Sequence, residues 1–389
     1  MQQEGSMAWV QKKKRNGTTK WVARRRDAAG DEHSRSFDKR GEAIAFGHDA
    51  ETDARSTRPE IATARATLTV GDWLDSWLDE VVATRVRAGR LRPRSAAGYE
   101  TAVRLHIAPV VGHLLLVELR VSDLDLLLDR MIASGSAPAT ARHARATLSG
   151  ALTAASRADL VDRSVAQLAE PPSIDTPPPS TFSDDELDRI LETAEDHRLG
   201  TAILFTLLTG RRLSAVVALD WADVNLRDAT YRVVRTTHRV PASAARVATP
   251  GLVDGPPKTS ASSRVLPLSD AAVTLLKAHR KIQAAERLAA VDWIECDRIW
   301  TSTIGTPLEP RQLSRAFTQI RDAAGVANRA PSGRPRGIHE LRRTWTEHKR
   351  RAGVPLEDVV RLGGWATPTV MLRHYVASPD DRLRDAANR

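Results

Sequence analysis

The chain has 389 residues with 58 Lys or Arg against 48 Asp or Glu, a formal charge of +10; that length allows two or three domains, and the basic excess makes nucleic acid the first candidate partner. A single cysteine, Cys296, excludes a disulfide framework, a Cys-based zinc module and an iron–sulfur centre. The longest apolar run, around residues 202–208, falls far short of the ~20 residues of a membrane span, and no basic-then-apolar leader opens the chain, so the expectation is a cytoplasmic protein with no membrane partner.

The charge is modular. Residues 9–40 carry a net +7, residues 66–170 are neutral, and residues 181–389 again carry +7. The first module reads Lys12-Lys13-Lys14-Arg15, then Asn16-Gly17, then Lys20-Trp21-Val22-Ala23-Arg24-Arg25-Arg26. Asn-Gly between two basic runs predicts a hairpin. A third strand is expected at residues 34–37 and a helix over residues 40–54 with Ala43, Ile44 and Phe46 inward. Such a sheet, with Lys and Arg gathered on one face, suits a DNA groove.

From Thr69 the pattern turns helical. Val70, Trp73, Leu74, Trp77 and Leu78 form an amphipathic stripe in which the two tryptophans read as core. Tyr99, Val103, Leu105 and Ile107 predict a second helix ending before Pro109, Ser122 with Asp125 opens a third, and residues 139–158 form a fourth. Arg92 and Arg94, beside Arg87 and Arg90, are candidate phosphate contacts. Residues 171–180 are half proline and read as an extended spacer. A capping box of Ser183 and Glu186, with Phe182 and Leu187 as hydrophobic staple, then starts a new domain.

Three stretches of this last domain carry chemistry: Thr209-Gly210-Arg211-Arg212 after an apolar helix, His339-Glu340-Leu341-Arg342, and Leu362-Gly363-Gly364-Trp365 with Tyr375 ten residues on. An arginine at the end of a buried helix is costly unless it serves an anion. Lysine is scarce, nine residues in all with none between Lys39 and Lys258, so Lys258 in Pro-Pro-Lys-Thr-Ser stands out. The Ala- and Arg-rich composition fits a GC-rich genome. No glycine-rich phosphate loop is present, and no cofactor is expected. His339-Glu340 begins like a zinc-protease helix, but Arg343 stands where a second His is required.

In this order and at these separations, the three stretches resemble the tyrosine recombinase (phage integrase) family. The resemblance implies a multidomain α+β protein: residues 1–60 as an arm-type DNA-binding domain of a small β-sheet plus helix, 66–170 as a helical core-binding domain, 171–180 as linker, and 181–389 as a mainly helical catalytic domain with a small antiparallel sheet. It implies Arg212 and Arg342 as the clamp on the scissile phosphate, His339 beside them, Trp365 where members carry His or Trp, Lys258 on a β-hairpin that reaches the cleavage site, and Tyr375 as nucleophile. It also implies a homotetramer on double-stranded attachment sites in the nucleoid, a host factor and a directionality factor as partners, and residues 376–389 docking on a neighbouring protomer. The chemistry is consistent with those roles. A phenol with a pKa near 10 needs a positive field or a base to attack at neutral pH. Paired guanidiniums grip the non-bridging oxygens, and a lysine in a cationic site can supply the leaving group's proton where arginine donates poorly.

The family pattern implies an acid three residues after Arg212, where this chain has Ala215, with Asp220 or Asp223 as possible substitutes. The stretch 241–257 before Lys258 reads as a long, mobile loop. A non-catalytic DNA-binding regulator, a type IB topoisomerase and a chromosome-dimer recombinase are the competing readings. The first module and the short catalytic domain favour a phage or mobile-element integrase over the last two.

Overall fold

The computed structural model of the protein describes residues 8–15, 18–26, 32–44, 59–173, 179–257 and 264–375. It divides into two compact units, Met1–Ile174 with Ser243–Thr249, and Asp175–Ala242 with Pro250–Arg389. The main division falls inside the proline-rich stretch.

In the first unit, β1 (Ala8–Arg15), β2 (Thr18–Arg26) and β3 (Glu32–Phe37) form an antiparallel sheet in chain order. Successive strand residues alternate faces; of the basic runs 12–15 and 24–26, the side chains of Lys12 and Arg24 lie within the described set, Lys12 exposed and Arg24 half-buried. Trp21 pairs with Lys12 across β1 and with Phe37 across β3, and both Lys12 Nζ and the Arg40 guanidinium stand 5.8 Å from its ring centroid. A helix begins at residue 40, and Ala43 is buried; the remainder of the expected helix lies outside the described residues.

The helices of this unit are α1 (Pro59–Thr67), α2 (Val70–Ser76, continued by Trp77–Val82 and Ala83–Arg87), α3 (Pro93–Ala102, continued by Val103–Ile107 and Ala108–Val111), α4 (Val121–Ala133) and α5 (Pro138–Arg157). Thr69 caps α2 through a capping box with Asp72, and Trp73 and Trp77 are core residues, with the Trp73 indole N–H donating to the Ala151 carbonyl at 3.0 Å. Helix α3 runs through Pro109 instead of stopping before it. Proline offers no N–H to the carbonyl four residues back, and the chain answers with a π-turn in which Ala108 N–H donates to Val103 O. Leu105 faces water, because it lies opposite the Tyr99–Val103–Ile107 row at 3.6 residues per turn. Helix α4 starts one residue before Ser122, with the Asp123 carboxylate accepting from Arg120 N–H at 2.8 Å; Asp123, not Asp125, supplies the cap. From the returning segment Ser243–Thr249, Arg246 forks onto Asp75 and Asp79 of α2.

The second unit holds α6 (Asp184–Glu195), α7 (Gly200–Thr209), α8 (Leu213–Val216), α9 (Asp270–Ala289), α10 (Pro310–Ala323), α11 (His339–Arg351), α12 (Leu356–Gly363) and α13 (Pro368–Tyr375). Its sheets are β4 (Val224–Asn225), β5 (Thr230–Arg232) and β8 (Val265–Pro267) in the order β4-β5-β8, and the hairpin β6 (Thr236–Val240) with β7 (Gly251–Gly255). The apolar helix α7 lies at the centre, packed against α6, α9 and α11, with Ile203, Phe205 and Ala202 in the core. The Ser183–Glu186 capping box forms in both directions, at 3.0 and 3.2 Å, with Phe182 and Leu187 buried beside it. The stretch 241–257, expected to be a loop, contains strand β7, whose pairing with β6 satisfies its backbone and shortens the true connection. Among the described residues no helix is long and apolar enough to cross a membrane.

Candidate active site

The site is built where α7 ends. Gly210 caps that helix at φ +61°, a left-handed conformation that glycine adopts without strain. A side chain there would also be driven into the indole of Trp345 on α11. The chain then turns through Arg211 and Arg212 into α8, where the Arg212 carbonyl accepts from Ala215 and Val216 N–H.

Arg342, on α11, is 1 % exposed, and its Nη1 donates to the carbonyls of Gly210 and Gly363. Its guanidinium lies 3.8 Å from the ring centroid of Trp365, which in turn stacks on Trp345 with centroids 6.3 Å apart and planes 25° from parallel. The Trp345 indole N–H donates to Leu208 O at 3.2 Å. Arg342 is thereby held between the end of α7 and the end of α12, over an aromatic face that favours its charge. Gly363 is required by packing, since a Cβ there would enter the Trp365 ring.

His339 opens α11. Crowding by surrounding atoms, together with the guanidiniums of Arg343, Arg342, Arg212 and Arg334, pushes its pKa down to about 4. The imidazole is therefore neutral at neutral pH. Arg212 and Arg342 both act on this ring, so three of the residues singled out in the sequence gather at one place.

Tyr375 is the last residue of α13, which packs on α11 and α12. Met371, one turn earlier, is fully buried with Trp345, Val359 and Trp365. The Tyr375 side chain lies outside what the structure describes, as do Lys258 and residues 376–389.

Asp220 and Asp223 do not take the place of the missing acid. Asp220 is engaged by Arg298 and Arg235, and Asp223 by Arg235 at 3.3 Å. Arg298 also reaches Asp254 on β7, so this network anchors the hairpin that precedes Lys258. A second network fixes α11 to the start of the unit. Arg336, 4 % exposed, grips both Glu186 oxygens at 2.7 Å, donates to Thr181 O and lies over the Phe182 ring. The Arg336 guanidinium holds the Glu186 carboxyl down at about 2. Buried Glu340 accepts from the Ser180 hydroxyl at 2.7 Å, and burial pushes its pKa up.

Sequence reasoning missed Trp345, Arg343 and Arg334, as well as Arg211, which is buried behind Arg212. Trp345 was detectable as the apolar residue one helical turn after Arg342. Arg343 and Arg334 carried no signal beyond general basicity.

Of the DNA-contact candidates, Lys12, Arg92 and Arg94 are exposed and Arg24 is half-buried. The side chains of Lys13, Lys14, Arg15, Arg25 and Arg26 lie outside the described set.

The chain is 26% identical over 368 residues to an integrase of Saccharopolyspora erythraea, covering 82% of this chain and 81% of that protein. It is 29% identical over 400 residues to an integrase of Streptomyces ambofaciens, with 96% and 92% covered. Its fold matches lambda integrase solved as a dimer bound to a COC′ core site, at 19% identity and TM-score 0.59 with 97% and 96% covered. It also matches lambda integrase solved as a tetramer bound to a Holliday junction, at 20% identity and TM-score 0.58 with 92% and 96% covered. The model of the phage integrase family matches residues 180–382, more than half of the chain and the whole of the site described above, and the chain belongs to that family.

Proposed function

We propose that the protein is a tyrosine-type site-specific DNA recombinase that integrates or excises a phage or mobile element. The observation that carries this reading is the convergence of Arg212 and Arg342 on a neutral His339, with the helix that ends at Tyr375 packed against the same aromatic pair. In the reaction, the Tyr375 oxygen forms a bond to the scissile phosphorus as the bond from phosphorus to the 5′-oxygen breaks, leaving a 3′-phosphotyrosyl link. The two arginines neutralise and orient the non-bridging oxygens. His339 accepts the phenol proton, and Lys258 delivers a proton to the departing 5′-oxygen. Because the phosphodiester energy is kept in the tyrosyl ester, attack by a 5′-hydroxyl reverses each step and rejoins the strand.

Trp365 serves through packing: it carries the guanidinium of Arg342. The β1–β3 sheet is read as the arm-type module within residues 1–60, with Lys12–Arg15 and Arg24–Arg26 as its contacts. Residues 66–170 are the core-binding domain, with Arg92 and Arg94 on phosphates, and residues 181–389 form the catalytic domain. The working assembly is a homotetramer on paired attachment sites, as lambda integrase forms on a Holliday junction, with host and directionality factors as further partners in the nucleoid.

The test uses the full chain with a pool of nicked duplexes of randomised sequence in EDTA, from which covalent protein–DNA adducts are recovered after detergent treatment. The expected result is an adduct enriched for one sequence and abolished by Tyr375→Phe with DNA binding retained. A Tyr375→Phe protein that still forms adducts would overturn the assignment, and binding without any adduct from the parent would favour a non-catalytic regulator.

A further inference from the structure

Arg211 precedes the phosphate-clamp candidate Arg212 and lies inside the protein, 4 % exposed. Taking a guanidinium out of water costs several kcal/mol unless its donors are well matched. Among the described residues its partners are neutral oxygens, and none is a carboxylate. Nε donates to the Tyr231 hydroxyl at 2.8 Å, Nη2 donates to the Leu362 carbonyl, and the cation lies 5.5 Å from the Tyr231 ring centroid. Tyr231 is itself buried at the centre of the β4-β5-β8 sheet, paired with Val224 and Leu266 and set edge-on to Phe205 of α7. That makes it a fixed post.

The other anchor is more telling. Leu362 and Gly363 provide the last carbonyls of α12, which have no partner within their own helix and mark its negative end. Arg211 takes the first and Arg342 the second. Two cations from different elements thus hold successive carbonyls of the turn from which α13 departs. A leucine or methionine at 211 could fill the space, but it could not grip that turn.

We propose that Arg211 is a positioning residue for strand cleavage. It ties the end of α12 to the central sheet through Leu362 O and the Tyr231 hydroxyl, and so fixes where the helix bearing Tyr375 starts relative to Arg212 and Arg342. The inference rests on the recombinase reading above.

The experiment compares Arg211→Met, Arg211→Lys and Tyr231→Phe on the nicked duplex recovered from the randomised pool. It measures DNA affinity by fluorescence anisotropy, the single-turnover rate of adduct formation at saturating DNA, and thermal stability. A misplacement of about 1 Å at a reacting centre costs roughly 10²-fold in rate. Arg211→Met is therefore expected to slow adduct formation about 10²-fold with affinity within about twofold of the parent. Arg211→Lys, which keeps one donor for Leu362 O, recovers part of the rate. Tyr231→Phe slows cleavage less, and combining it with Arg211→Met adds nothing further, because both changes cut the same tether. A merely structural role would lower thermal stability without this split between rate and affinity, and without rescue by lysine.

Arg211→Met at the parental rate, or slowed only through weaker DNA binding, overturns the proposal. If Arg211→Met does not fold, Arg211→Lys and Tyr231→Phe decide, and parental rates in both overturn it. A parent that forms no adduct overturns the recombinase reading and this inference together, whereas an active parent with indifferent variants overturns this inference alone.

Discussion

The adjacent glycines 363 and 364 should respond very differently to alanine. Gly364 is the left-handed cap of α12 at φ +69°. Alanine there pays the backbone penalty of that conformation, about 1 kcal/mol. Gly363 has ordinary helical backbone, but its Cβ would occupy the Trp365 ring. Relieving that overlap costs about 1–3 kcal/mol in a packed interior. Trp365 must also leave the face of Arg342, forfeiting up to about 2 kcal/mol of cation–π attraction in a site shielded from water. The total is about 3 kcal/mol, against about 1 for Gly364→Ala. In a unit of roughly 200 residues, each kcal/mol moves the midpoint by about 2–4 °C. Thermal unfolding should therefore show a loss near 10 °C for Gly363→Ala and near 3 °C for Gly364→Ala. Adduct formation should fall further for the first, because Arg342 loses its floor. Equal shifts for the two variants would refute the claim that Trp365 sets the requirement at 363.

Three other changes test the electrostatics. The folded pKa of His339, about 4, lies below its ordinary 6.5, so the folded protein refuses a proton that the unfolded chain accepts, and stability falls as pH drops from about 6.5 toward 4. Urea unfolding across that range should give a smaller slope for His339→Gln than for the parent; His279, held toward the neutral form by burial, adds a slope of the same sign that both proteins share. Glu186 carries the opposite charge and a lower window: its contribution is full above about 4.5 and is lost as pH falls toward 2, so Glu186→Gln should flatten stability there. Arg336→Met should cost about 3–5 kcal/mol by chemical denaturation, since it strands buried Glu340 beside Glu186, whereas Glu186→Gln, which keeps one hydrogen bond, should cost about 1–2.

What was legible in the sequence is what depends on near neighbours or on ordered motifs. The Ser183 cap needs only Glu186 three residues on, and the Trp73–Trp77 stripe needs only one helical turn. The order of Arg212, His339, Arg342 and Tyr375 pointed to a family before any geometry was known. The misses around the site have one cause, partners set far apart along the chain. Arg211 meets Leu362 across 151 residues and Arg336 meets Glu186 across 150. No local pattern announces such pairs. The π-turn before Pro109 is a different kind of miss. A proline within a helical pattern reads as a stop, yet tertiary packing of Val103, Ile107 and Val111 rewards continuation by more than the one lost hydrogen bond.

Alanine at 215 acquires a physical reading from the same contacts. A carboxylate fixes an arginine but also cancels its charge, whereas a carbonyl oxygen fixes it and leaves the charge in place. In this unit Asp220, Asp223 and Asp254 go to Arg235 and Arg298, and Glu186 goes to Arg336. At the turn after α7, carbonyls do the holding: Gly210 and Gly363 for Arg342, Leu362 for Arg211. The positive field that results is registered by His339, whose pKa is lowered by four guanidiniums in addition to burial. On the proposed recombinase mechanism, an acid at 215 would reduce that field where a phosphate is to be gripped and a phenol is to give up its proton. Backbone oxygens, with the Tyr231 hydroxyl for Arg211, orient Arg342 and Arg211 without that cost beside the alanine at 215.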